Sequence, residues 1–392
     1  VEEIQKKTRI KTIAEKNRII ENIIDAMLTR DNFLLVAHKN PDEDAISSMV
    51  SFGLLLNKLN KTSYIMACGD IQQNYDYLLN ICKYNAISIV EQCDHLPEDV
   101  STLILLDTAK PGMLMNSERI ATLFDNRDIL KIELDHHLDA DSVYSGDPGY
   151  RLVTEASSTC ELIGLLAFKL QKKKETLGRS GVDTVLSRNV VLAILTGIIG
   201  DSKMGRYLKT ERERWFYRLF SNMFDQMLET FTYKNSANLS NMKEIYSELL
   251  RLSEEEEQCY RYMFERIKTT PFFRYVSLNN QESRYLFDTY DSDTIVSIAR
   301  TIADYCAEQS GFVSLVSYYD APRISGLIQF RMRRNQHFKR IDLRTVISQL
   351  GITDGGGHEG AIGFRVDRDS VQDIYEFVNQ IIATTESMIT TN

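Results

Sequence analysis

ILKIELDHH, residues 129–137, is the stretch from which the rest of the chain can be read. The run Ile129 to Asp135 has the short, apolar-rich texture of a buried strand, and it ends by delivering a carboxylate, Asp135, and two imidazoles, His136 and His137. Burying three such groups is expensive unless a metal or a hydrogen-bond network satisfies them. Taken alone, the triplet also fits a surface turn with an incidental histidine pair, since imidazole serves structural roles as well.

The same ending recurs on either side. FLLVAH, residues 33–38, reads as a buried strand that runs into Asn40-Pro41-Asp42-Glu43-Asp44, after which AISSMVSFGLLLNKL has helical character. STLILLD, residues 101–107, closes on Asp107. Between them SYIMA and AISIVEQ read as strands separated by the helical QQNYDYLLNICK. Strands alternating with helices predict an α/β fold with a mainly parallel sheet, in which ligands collect beyond the carboxyl ends of the strands. Downstream, Ser158 to Glu161 fits a capping box opening the helix ELIGLLAFKL, and VLSRNVVLAILTGIIG predicts a second helix with Asp201 and Ser202 just beyond it. Upstream, apolar residues from Ile4 to Met27 recur at roughly helical spacing, predicting one amphipathic helix over the first thirty or so residues with no functional role.

From Glu211 to about Lys268 the pattern is helical, with Trp215, Phe216, Phe220 and Phe224 among the aromatics expected to pack inside. Ser253 before Glu254 to Glu257 reads as an N-cap with acids in a helix's first turn, where the macrodipole favours them. TYKNSANLSN, residues 232–241, is the expected interdomain linker. Beyond Pro271 strands and helices alternate again, ending in a glycine loop, Asp354-Gly355-Gly356-Gly357-His358, whose main chain could approach an anion closely. The basic residues Arg331, Arg333, Arg334, Lys339 and Arg340 fit either a solvated strand edge or an anion site. The expected organisation is a larger N-terminal domain over 1–231, a helical linker region over 232–270 and a smaller α/β domain over 271–392, with a catalytic cleft between the domains.

Length and composition agree with two soluble domains. The chain has 392 residues, 43% hydrophobic and 26% charged, which is ordinary for globular proteins. Its net charge of -9 disfavours long polyanions and acidic membranes while leaving small anions allowed. Six scattered cysteines without CxxC pairs read as reduced thiols. No leader-type segment opens the sequence, and the longest greasy stretch, Val190 to Gly200, falls short of the roughly 20 residues a membrane span needs. A cytoplasmic protein is expected.

Collecting ligand-type residues at predicted strand and helix ends gives His38, Asp42, Asp44, Asp107, His136 and Asp201, with His137 and His358 beside them. Two imidazoles and four carboxylates suit a pair of divalent ions, Mn, Fe, Co or Zn by softness, with Mg less natural. Two such ions about 3.5–4 Å apart lower the pKa of a shared water and clamp a phosphoryl group.

Five segments in order then carry a resemblance. HKNPDEDAISS (38–48), Asp107 after LILL, Asp135-His136-His137, TGIIGDS (196–202) and GGGHEGAIGF (355–364) resemble the motifs of the DHH phosphoesterase superfamily with its DHH-associated C-terminal domain, as in oligoribonuclease and 3′-phosphoadenosine-5′-phosphate phosphatase proteins and soluble cyclic di-AMP phosphodiesterases. The sequence departs from the common pattern at Glu43 and Ser47, where glycine is usual, and at Ile362, where a small residue is commoner. The resemblance implies two manganese ions, one held by His38, Asp42 and Asp107, the other by Asp44, Asp107, His136 and Asp201. It further implies that His137 lies near the scissile phosphate, that Asp135 and Asn40 support the ligands from behind, and that Arg331 with Gly355, Gly356, Gly357 and His358 binds the nucleotide.

The expected activity is metal-dependent hydrolysis of cyclic di-AMP, pApA or other short oligoribonucleotides to 5′-mononucleotides. The alternatives are a 3′,5′-bisphosphate nucleotide phosphatase and a non-hydrolytic nucleotide sensor. A processive single-strand nuclease would want a basic channel that the sequence does not offer. The expected partner is a short nucleotide, with neither long duplex nucleic acid nor membrane, and with a homodimer allowed.

Overall fold

The computed structural model describes residues 5–67, 71–92, 96–114, 118–138, 142–179, 181–231, 242–249, 251–335 and 337–391. It divides into two compact units, Val1–Arg251 and Leu252–Asn392. The expected linker 232–241 lies outside the described residues.

In chain order the first unit runs α1 (Ile13–Thr29), β1 (Phe33–Val36), α2 (Glu43–Lys58), β2 (Ser63–Met66), α3 (Asp76–Tyr84), β3 (Ser88–Val90), β4 (Thr102–Leu106), α4 (Glu118–Asp125), β5 (Leu130–Asp135), β6 (Arg151–Val153), α5 (Thr159–Gln171), α6 (Lys174–Arg179), α7 (Arg188–Ser202), α8 (Glu211–Phe231) and α9 (Met242–Leu249). The sheet is six-stranded, in the order β3-β2-β1-β4-β5-β6, and each neighbouring pair is parallel. Period-two alternation sends Phe33, Leu35, Ile104 and Leu106 to the face covered by α1, α2, α5 and α7, and Leu34, Val36, Leu103 and Leu105 to the face covered by α4. The strand order reverses between β1 and β4, which opens a crevice at the carboxyl ends of β1, β4 and β5.

Two local expectations are corrected. Residues 5–12 are not helical: α1 starts at Ile13 because Thr12, extended at φ -129°, accepts the Glu15 N–H as its N-cap. The segment before it lies alongside the stretch following Asp135-His136-His137, with Lys6 and Val143 forming an antiparallel bridge and Lys7 N–H bonding Ser142 O. At the other end, Asp201 and Ser202 sit inside the last turn of α7 rather than beyond it, and the helix stops at Lys203 in a left-handed conformation, φ 47°. A sixth strand, β6, is too short at three residues to have shown in the pattern.

The second unit holds α10 (Glu254–Phe264), β7 (Lys268–Thr269), β8 (Phe273–Ser277), α11 (Asn280–Thr289), α12 (Ser292–Ser310), β9 (Val313–Tyr319), β10 (Leu327–Arg334), α13 (Arg344–Gln349), β11 (Asp354–His358), β12 (Ala361–Asp367) and α14 (Ile374–Thr391). Its sheet is ordered β11-β12-β10-β9-β8-β7, antiparallel except for the β8–β9 pair. Helix α10, within the stretch expected as linker, packs Cys259 and Met263 into this unit's core. Its N-terminus carries the expected Ser253 cap as a full capping box with Glu256. The glycine run is a strand rather than a loop: Gly355, Gly356 and Gly357 pair with Phe364, Gly363 and Ile362. A Cβ on Gly355 would stand 2.4 Å from that of Phe364, and Gly357 has φ 135°, so glycine lets this edge lie flat against β12.

Of the cysteines, Cys82, Cys160, Cys259 and Cys306 are buried and free, while Cys68 and Cys93 lie outside the described residues. Phe216, Phe220 and Phe224 are buried as expected, but Trp215 is about half exposed. Among the described residues no helix is long and apolar enough to cross a membrane.

Candidate metal centre

Three parallel strands end at one place. After β1 the chain turns through Asn40, left-handed at φ 56°, so that His38 and Asp42 face each other across the turn, with His38 Nε2 3.8 Å from Asp42 Oδ1. Asp42 is at once the N-cap of α2, accepting the Ala45 N–H, and Asp44 follows in the helix's first turn. After β4, Asp107 adopts a left-handed conformation, φ 50°, that is uncommon for a residue with a Cβ and characteristic of functional sites. After β5 come His136 and His137, and α7 brings in Asp201 from the side.

Asp107 is central. Its Oδ2 lies 3.8 Å from His38 Nε2, and its Oδ1 lies 3.4 Å from His136 Nε2 and 3.7 Å from His137 Nδ1. His136 Nε2 is also 3.4 Å from Asp201 Oδ2. The ligand atoms form three groups, each within 4.8 Å: His38, Asp42 and Asp107; Asp44, His136 and Asp201; and Asp107, His136 and His137. All six residues expected as ligands are therefore brought together, with His137 beside them.

The surroundings orient these side chains. His38 Nδ1 is 2.9 Å from Lys39 O and His136 Nδ1 3.3 Å from Ala156 O, which leaves both Nε2 atoms for the centre. Asp135, fully buried, accepts from His137 Nδ1 at 2.7 Å. Three groups were not legible in the sequence. The N–H groups of Thr159 and Cys160, at the start of α5, donate to Asp44 at 2.5 and 3.0 Å, and Thr159 Oγ1 donates to Asp107 Oδ1 at 3.0 Å. Lys7 reaches Asp135 from the extended N-terminal segment. The capping pattern at Ser158 was a signal for the first two, whereas nothing distinguished Lys7 within its charged run.

The electrostatics call for a cation. Burial, then the Asp107 and Asp201 carboxylates, push Asp44 well above the usual carboxylate range, and burial raises Asp201 to about 7. Burial opposes charge on His38, but the Asp42 carboxylate across the turn outweighs it and carries the imidazole up to about 9. His136 is driven upward too, against its burial, by Asp107 and Asp201. Without an ion the cluster must hold protons to offset its crowded negative charge. Mixed imidazole and carboxylate donors at this spacing fit divalent transition metals.

In the second unit Arg331, on β10 between Val316 and Gly363, shares a polar pocket of about 410 Å³ with Gln329, Asp354, Gly355, Gly356, Gly357 and Arg365. His358 stands at the exposed end of β11 and does not line it. Arg333 pairs with Asp304 and Arg334 with Glu359, so these two serve structure rather than an anion.

The chain is 26% identical over 208 residues to the cyclic-di-AMP phosphodiesterase PdeA of Listeria monocytogenes, covering 51% of this chain and 28% of that protein. It is 27% identical over 173 residues to a probable manganese-dependent inorganic pyrophosphatase of Bacillus cereus, covering 44% and 48%. It thus spans less than half the length of these curated relatives. An exopolyphosphatase-related protein from Bacteroides fragilis shares the fold across 98% of both chains, with a TM-score of 0.57 at 17% identity. The family model described as "DHH family, N-terminal domain" matches residues 32–198, the segment that supplies five of the six residues expected as ligands, and this chain carries a DHH family domain.

Proposed function

We propose that this protein is a manganese-dependent phosphodiesterase that hydrolyses short nucleotides, of the pApA or cyclic di-AMP type, to 5′-mononucleotides. The observation that carries the reading is the shared position of Asp107, with one carboxylate oxygen toward His38 and the other toward His136. One ion would be held by His38, Asp42 and Asp107 and a second by Asp44, His136 and Asp201, with Asp107, 3.4 Å from His136, as the ligand common to both. When bound, such ions acidify a shared water and draw charge from the phosphoryl oxygens.

The chain's own residues do the rest. Asp135 accepts from Nδ1 and so fixes the His137 ring, and against burial it also favours the protonated ring, the form in which Nε2 can donate to a phosphate oxygen. Thr159 and Cys160 hold Asp44 and Asp107 in place with three hydrogen bonds. In the second unit Arg331 and the flat main chain of Gly355 to Gly357 offer cationic and N–H donors to a nucleotide phosphate, with His358 at their margin. Short substrates are favoured because a long polyanion needs many cations along a track, and Arg333 and Arg334, in the chain's main basic run, are already paired.

Purified protein with Mn²⁺ should be offered cyclic di-AMP, pApA, longer oligoribonucleotides, the 3′,5′-bisphosphate and pyrophosphate, with products resolved chromatographically. The expected result is 5′-AMP from the dinucleotides at the highest kcat/KM. A kcat/KM that climbs with length beyond about five nucleotides would mean a general exonuclease. Exclusive turnover of pyrophosphate or of the bisphosphate would replace the dinucleotide reading.

A further inference from the structure

We infer that Lys7 is a positioning residue for His137, acting through Asp135, so that the extended N-terminal segment is a working part of the site. The inference rests on the hydrolytic reading above and assigns a role to a segment that reading does not use.

The Lys7 side chain is fully buried. Its ammonium donates to Asp135 Oδ2 at 2.5 Å and to Thr108 O at 2.7 Å, and it makes an ion-pair contact with Glu133 Oε1 at 2.9 Å. Thr108 directly follows Asp107, and Asp135 directly precedes His136, so one nitrogen ties together the ends of β4 and β5. Asp135 is then shared: Oδ2 goes to Lys7 and Oδ1 to His137 Nδ1. A carboxylate pinned from one side leaves its other oxygen at a defined angle, which fixes the plane of the His137 ring.

The backbone holds Lys7 in place. Tyr144 N–H bonds Gln5 O, Lys7 N–H bonds Ser142 O, and Thr8 N–H meets the Tyr144 hydroxyl. Glu133, the second buried carboxylate, is meanwhile held on Oε2 by the N–H groups of Ser145 and Gly146. A lone surface lysine needs no such framing. A fully desolvated ammonium does, and two hydrogen bonds with two facing carboxylates are how such a charge is retained.

Lys7→Met keeps the length of the side chain and removes its charge. On pApA its kcat should fall by ~10²-fold through misplacement of His137, with KM and Mn²⁺ affinity close to wild type. In the metal-free protein the downfield NMR signal of the His137 Nδ1 proton, sharp in the wild type, should broaden or vanish. Lys7→Ala should regain at least ~10-fold of its lost rate in propylammonium. Should Lys7→Met unfold, Lys7→Met with Glu133→Gln removes one of the two carboxylates left without their cation, while Asp135 keeps His137, and is measured in its place. Wild-type kcat in a folded variant overturns the inference, as does a rate loss with an unchanged His137 signal and no amine rescue. If the wild type hydrolyses none of the nucleotides, the phosphodiesterase reading fails by itself, and the His137 signal alone decides the role of Lys7.

Discussion

Asp107 Oδ1 lies 3.4 Å from His136 Nε2, while the other oxygen of the same carboxylate turns toward His38. No other residue of the cluster belongs to two groups on opposite sides in this way, apart from His136 itself. Replacing Asp107 with alanine should therefore lower kcat/KM by ~10³-fold or more. Circular dichroism should show the fold intact. Wild-type turnover with two ions bound per chain would refute the assignment.

Metal removal should be visible as lost stability, because an ion that binds only the folded cluster adds about 2.7 kcal/mol at a hundred times its Kd. Thermal unfolding with Mn²⁺ and with a chelator is the measurement. Identical midpoints would speak against a metal centre.

The metal-free protein should lose stability as pH rises. Asp201, raised to about 7, binds protons in the folded state that the unfolded carboxylate has already released, so stability falls from about pH 4 through 7, and Asp44 acts in the same direction. His38, raised to about 9, contributes stability fully present below about pH 6.5 and lost as the pH passes 9. Urea unfolding between pH 5 and 9 checks this. Saturating Mn²⁺ should flatten or reverse the trend, since metal binding displaces those protons.

Gly197→Ala should disturb the centre through packing alone. A Cβ there would stand 2.4 Å from Cys160 Sγ and 2.5 Å from Asp44 Oδ1, so one or both must move. The expected outcome is a loss of ~1–3 kcal/mol in the metal-free protein together with weaker Mn²⁺ binding. Calorimetric titration showing unchanged affinity would mean that Cys160 alone gives way and the Asp44 carboxylate keeps its place.

Arg331→Ala and His358→Ala should leave metal binding alone and raise KM, Arg331→Ala by ~10-fold as for one charged hydrogen bond lost. His358, outside the pocket, should give the smaller effect. If neither variant changes KM or kcat, the second unit does not bind the substrate.

The parallel sheet and the convergence of the acidic and imidazole side chains were legible because apolar runs ended abruptly in Asp or His, and such endings survive any detail of packing. What stayed hidden was non-local. Lys7 looks like one more charge in Gln5-Lys6-Lys7-Thr8-Arg9, and only the three oxygens that β4 and β5 bring to it make it a buried ion. Glu43 shows the reverse: its departure from the usual glycine is accommodated because residue 200 on α7 is glycine, whose Cβ would lie 2.5 Å from that of Glu43. The glycine run misled for a similar reason, since its strand is defined by its partner Phe364 rather than by its own residues.

The bond from Lys7 to Asp135 joins residues 128 positions apart. A ribosome adding ~5–20 residues per second therefore makes Lys7 roughly 6–26 s before its partner exists. In the meantime β1, β2 and β4 can pair, so the earliest-made described segment is among the last to dock. Nascent-chain fusions that crowd residues 5–8 should thus delay completion of the site more than formation of the sheet.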